Sequence, residues 1–160
     1  MSTLNLILQS LHNLTRWALV LLGLIVIVRG FTGWLRGRRF NKDDNRFGML
    51  YTSFFDVQLL LGLILYFSKG WFGVLTADFA SAMRAAGTRF FAMEHLLLMF
   101  IALVVVHIAR SRSRKVSDDT LKHRWAALGY GASFVLMLAA VPWPFLEYGR
   151  PWLRLFGLQF

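Results

Sequence analysis

The sequence predicts an all-α integral membrane protein, a four-transmembrane-helix bundle forming a single domain over residues 1–160. Three observations carry that reading. Hydrophobic residues make up 57% of the chain and charged residues only 16%, a balance too apolar for a soluble domain of this length. The apolar residues gather into four runs of about membrane-crossing length, near 14–35, 47–67, 90–109 and 125–141, parted by charged or glycine-containing segments. Finally, the basic residues divide unevenly between the connections. Arg36, Arg38, Arg39, Lys42 and Arg46 fall between spans 1 and 2, and Arg110, Arg112, Arg114, Lys115, Lys122 and Arg124 between spans 3 and 4. The opposite side holds only Lys69, Arg84, Arg89, Arg150 and Arg154. Basic residues favour the cytoplasmic side, so the basic loops are expected there and both termini outside.

The net charge of +10 is explained by that same distribution. A basic cytoplasmic face meets anionic lipid headgroups, so the charge requires no nucleic-acid partner. The absence of cysteine excludes disulfides, thiolate-held iron–sulfur clusters and covalent c-type haem attachment. The chain also carries neither an HExxH zinc motif nor a nucleotide-binding glycine pattern. No small-residue cleavage site follows the first apolar run, which therefore reads as a retained span.

In span 1, Trp17 and Trp34 are placed as aromatic anchors about 25 Å apart at helical rise. His12 lies near the outer surface, and Arg16, four residues on, shares its helix face. Arg29 falls inside the inner anchor. Span 2 carries Asp56 near its middle, where an unpaired carboxylate is costly. Arg29 is the nearest countercharge in depth, so a structural Arg29–Asp56 pair is expected, with a proton-relay role for Asp56 as the alternative. Between spans 2 and 3, Trp71, Leu75, Phe79 and Met83 recur every four residues, the pattern of an amphipathic helix lying in the interface.

Span 3, between Arg89 and Arg110, combines an apolar run with Glu94, His95 and His107. Ionisable groups within a span are costly and mark a functional site by default. Span 4 starts beside His123, passes the small residues Gly129, Gly131 and Ala132, and stops at Pro142–Trp143–Pro144. The tail beyond, with Arg150 and Arg154 among Trp, Leu and Phe, is expected on the outer surface.

The four histidines fall into two layers by depth, His12 with His95 outside and His107 with His123 inside. A pair of imidazoles on different helices is the axial ligand set of a b-type haem, and bundle interiors hold such cofactors. His95 and His107 are twelve residues apart, which rotates them by about 120° around the helix. They are expected to face different neighbours, His95 toward span 1 and His107 toward span 4. The outer site is therefore favoured, with His12 and His95 as the metal ligands. The alternatives are a polar lock of His12, Arg16, Glu94 and His95 between helices, and interfacial anchoring for His107 and His123.

HNLTRW at 12–17, DVQ at 56–58, GLILY at 62–66, RFFAMEH at 89–95 with Met99, and PWP at 142–144 resemble a family of small four-span bacterial membrane proteins often labelled cytochrome b-like. The resemblance covers nearly the whole chain and implies that His12, Arg16, Glu94 and His95, with Asp56 and Gln58, form the family's polar signature. The stacked histidine pairs are more distantly similar to di-haem cytochromes of the b561 type, which exchange electrons with quinones. The resemblance implies a bacterial inner-membrane electron-transfer protein with haem b and a quinone partner. Two alternatives stand beside it. One is a non-catalytic accessory subunit of a respiratory or photosynthetic complex; the other is a small transporter or metal-handling protein.

Overall fold

A computed structural model describes residues 3–159. The chain is almost entirely helical. Helix α1 spans Thr3–Leu35 and α2 Lys42–Ser68; three short helices follow, α3 (Trp71–Ala77), α4 (Phe79–Arg84) and α5 (Ala86–Arg89). A π-helical turn, Phe90–Glu94, leads directly into α6 (His95–Lys115). Helix α7 (Asp119–Trp125) runs through a second π-helical turn, Ala126–Tyr130, into α8 (Gly131–Ala140). Two-residue strands β1 (Arg154–Leu155) and β2 (Leu158–Gln159) close an antiparallel hairpin in the tail.

Three helical segments are long and apolar enough to cross a membrane: Thr3–Leu35, Lys42–Ser68 and Ala86–Lys115, with mean hydropathies of 2.1, 1.6 and 2.2. Their outward faces carry Leu21, Val28, Leu60, Phe67, Phe100 and Val104, all exposed. An apolar exterior of this kind is compatible with a lipid bilayer.

Helix α1 packs on α2 and on the second π turn, and α6 packs on α2 and α8. Leu19, Tyr51, Phe55, Ala102, Val106, Met137 and Ala140 fill the space between. Small residues set how closely the backbones approach. A Cβ on Gly30 would come within 2.8 Å of the Ala127 backbone nitrogen, and one on Gly129 within 2.3 Å of the Ala109 Cβ. Both contacts centre on the second π turn, where close helix packing replaces side-chain interdigitation.

The turn that joins α1 to α2 is fixed by Asp44. Asn41 caps α2 by accepting a hydrogen bond from the Asp44 amide, while the Asp44 carboxylate accepts from the Asn41 amide at 3.0 Å. That carboxylate, with a side chain 3% exposed, also accepts from Arg29 at 2.9 Å and from Arg38 at 2.8 and 2.9 Å. The expected Arg29–Asp56 pair is therefore not formed. Depth along the sequence brought the two together, but Arg29 faces the start of α2, whereas Asp56 faces α6 and bonds to His107 at 2.8 Å. His123 joins the inner end as well. It is 1% exposed, seated against Gly33 and the Phe40 ring, with its Nε2 3.9 Å from Asp44.

Removing the carboxylate strands two guanidinium groups and uncaps α2. Asp44→Ala is expected to lower the unfolding free energy by about 3 kcal/mol, read by denaturant titration in detergent, and Asn41→Ala by about 1 kcal/mol.

Candidate cofactor cavity at the outer end of the bundle

A cavity of about 170 Å³ opens between α1, α2, α6 and the tail. Helix α1 contributes Gln9, His12, Asn13, Arg16 and Leu19; α2 contributes Gln58, Gly62, Leu65 and Tyr66. His95 and Met99 project from α6, and Met137 from α8. His95 is placed by the π turn that precedes it. The His95 amide bonds five residues back, to the Phe90 carbonyl, and the Tyr66 hydroxyl donates to the Ala92 carbonyl at 2.9 Å. Single π turns commonly occur where a helix must aim a functional side chain.

The two imidazoles meet across this space with ring centroids 6.3 Å apart and planes inclined at 67°. His95 Nδ1 donates to the Ala140 carbonyl at 2.7 Å, because a carbonyl can only accept. In the neutral ring this leaves the lone pair on Nε2. The Gln58 side-chain nitrogen donates to His12 Nε2 at 3.2 Å, since an amide nitrogen can only donate, and its oxygen accepts from Thr15; the neutral His12 ring then carries its proton on Nδ1, which is buried with no partner. A Cβ on Gly62 would stand 3.2 Å from His12 Cε1, so glycine leaves the ring its room.

The mouth is cationic. Arg16, Lys69, Arg150 and Arg154 line the cavity, and none of the described residues lining it is acidic. Burial, then the neighbouring Arg150 and Arg154, holds the Lys69 ammonium below its usual pKa; burial, then Arg154, does the same to Arg150. These groups repel one another without an anion between them. The tail folds over the mouth. The Trp152 carbonyl accepts from Arg16 and, at 2.9 Å, from Trp17 Nε1, and the Phe156 amide donates to Ser10 Oγ at 2.8 Å. Trp71 stacks on Phe91 at 5.4 Å, and Arg150 lies 4.8 Å over that same ring.

Of the residues singled out in the sequence, the structure brings His12, Arg16 and His95 together with Gln58. Glu94 is not among them. It turns away and accepts from Arg89 at 2.6 Å, so the expected four-residue polar lock lacks its acid. His107 and His123 do not form a pair. His107 turns to Asp56 on α2 instead of to span 4, and His123 is enclosed beside Gly33 and Asp44. Lys69, Arg150 and Arg154 were read only as outer-face charges. The signal that could have found them is their own placement, since basic residues on an outer face run against the usual distribution.

His12 and His95 are the residues that would hold a metal here, and 6.3 Å between their ring centroids would leave room for one between the rings. Among the described residues no group of three or more His, Cys, Asp or Glu side chains could hold a metal ion. Two protein ligands suffice when a macrocycle supplies the remaining four. No family model, no curated protein and no solved structure matches this chain.

Because the tail covers the mouth, truncation after Gly149 is expected to speed diethyl pyrocarbonate modification of His12 and His95. Mass spectrometry of the labelled protein checks this, with His107 as the site whose rate stays unchanged.

Proposed function

We propose that the chain is a b-type cytochrome-like electron carrier that holds one haem b between His12 and His95. In this reading it lies in a bacterial inner membrane as a four-span bundle, with the run 125–141 as the fourth span, both termini outside and the basic loops cytoplasmic. The observation that carries the reading is the facing imidazole pair inside a cavity whose mouth is ringed by cations. Bound there, the iron would supply one-electron redox chemistry.

The protein's own residues divide the remaining tasks. Ala140 fixes the tautomer of His95, and this contact to the second ring nitrogen also orients the ligand. Gln58 holds His12 from α2, and for Nδ1 of that ring to offer a lone pair the Gln58 amide would turn over, so that its oxygen accepts from Nε2. Arg16, Lys69, Arg150 and Arg154 would neutralise the carboxylates at the macrocycle edge, and Leu19, Leu65, Met99 and Met137 supply an apolar wall. The tail, through Trp152, keeps bulk water from the mouth. In this reading a membrane quinone serves as the redox partner, since it reaches the bundle through the lipid.

His107 is bonded to Asp56 and His123 is packed against Gly33 and the Phe40 ring, so the two form no facing pair and the proposal holds a single haem. A second reading, an accessory subunit of a respiratory or photosynthetic complex, draws on the exposed aromatics Phe145, Trp152 and Phe156 of the outer tail. Purification in mild detergent separates the two, because an accessory subunit brings larger subunits with it.

Purified from haem-replete cells, the protein is expected to show a Soret band and about one iron per chain, the single haem that one imidazole pair can hold. His12→Ala and His95→Ala should each abolish the band, whereas His107→Ala should keep it. A colourless, iron-free wild type sinks the proposal. Joint replacement of Lys69 and Arg154 by alanine should weaken haem retention by about tenfold, the lower range for loss of outer contacts to a bound metal centre.

A further inference from the structure

Polar side chains within the apolar helices mostly turn inward. Gln58, Thr52, Ser113 and Ser133 are all buried. Asp56 and His107 do the opposite. Their side chains are 51% and 48% exposed, and they bond to each other at 2.8 Å on the outer wall formed by α2 and α6. Asp56 lies nine residues from Phe47, about 14 Å inside the apolar stretch of α2 at helical rise, and His107 meets it there from α6, three residues before Arg110. Ionisable groups at that depth almost always face a bundle interior or a wet cavity. Ser53 and Ser111, exposed one turn away on the same two helices, extend the polar patch, and Val57, Leu60, Val104 and Ile108 border it with exposed apolar surface.

We infer that this wall is where two copies of the chain associate, around a two-fold axis along the membrane normal that passes beside the Asp56–His107 pair. The patch is complementary to itself. It carries one acid and one base at the same depth, so a two-fold rotation sets the carboxylate of each copy against the imidazole of the other. An isologous contact needs that reciprocity. Equal depth is also what lets both copies keep the same orientation across the bilayer. Burial in the dimer encloses four polar side chains that single copies leave in hydrocarbon, where interhelical hydrogen bonds hold helices together. The inference rests on the membrane-embedded arrangement of the proposed function and not on its haem.

Counting subunits tests it independently of any cofactor. The chain has no cysteine, so a single Lys115→Cys carries one dye per copy. Reconstituted full-length protein in dilute phosphatidylethanolamine–phosphatidylglycerol vesicles should bleach in two steps. Combined Asp56→Leu and His107→Leu should cut the dimerisation constant by about tenfold, or 1.4 kcal/mol. The reciprocal exchange, Asp56→His with His107→Asp, keeps the patch complementary and should keep the dimer. Cysteines at Val104 should cross-link on oxidation, whereas cysteines at Leu21 on the outer face of α1 should not. Single-step bleaching of the wild type overturns the inference and leaves the wall to lipid or an unlike subunit. So does a dimer indifferent to the double leucine variant, or one cross-linked through position 21. Circular dichroism of each variant verifies its helices, and a haem-free preparation bears only on the redox proposal.

Discussion

The structure depends on one constraint: in a bundle whose exterior is hydrocarbon, each polar group inside must find its partner within the chain. Short side chains meet it locally. Ser10, Thr52 and Ser133 return their hydroxyls to carbonyls three or four residues back. Longer ones meet it across helices, and those contacts decide how the helices sit. Asp44 is the clearest case, since one carboxylate caps α2 and gathers Arg29 and Arg38, tying both ends of the inner turn together. Gln58 does the same at the other end, linking α2 to Thr15 and His12 of α1.

The two ends of the bundle consequently differ in kind. The inner end is closed, with cations balanced by Asp44 and an imidazole packed against glycine. The other end encloses a cavity beneath the tail, with four cations and, among the described residues, no acid lining it, and with the His12 Nδ1 buried there without a partner. Buried polar atoms without a partner occur at both ends, Arg110 Nη1 and His123 Nε2 among them on the Asp44 side, so the structural argument for a ligand is the cation-lined cavity itself.

Much of this was legible in the sequence, for identifiable reasons. Apolar run length located the three long helices, because membrane thickness acts on composition directly, whereas the run 125–141 is divided among α7, the second π turn and α8 and is not one of them. Helical rotation separated His95 from His107, and the structure does face them to different neighbours, although His107 chose α2 over the fourth helix. Depth alone misled with Arg29 and Asp56, since residues at similar height can lie on opposite faces. Glu94 misled in a related way; adjacent to His95 in sequence, it points elsewhere on the helix and meets Arg89. The π turns left no mark on the apolar pattern, so their aiming of His95 was hidden. The tail's return over the cavity rests on backbone groups such as the Trp152 carbonyl and the Phe156 amide, which every sequence possesses.

The order of these parts along the chain has a consequence for biogenesis. The segment that covers the cavity is synthesised after every helix lining it. The helices that line the cavity, both imidazoles included, all precede the tail that covers it. Lys69 and Arg16 then stand exposed at the rim, and Arg150 and Arg154 arrive only with the cover. On the proposed reading, loading would precede sealing, and the same stretch of chain would deliver both the last cations and the closure.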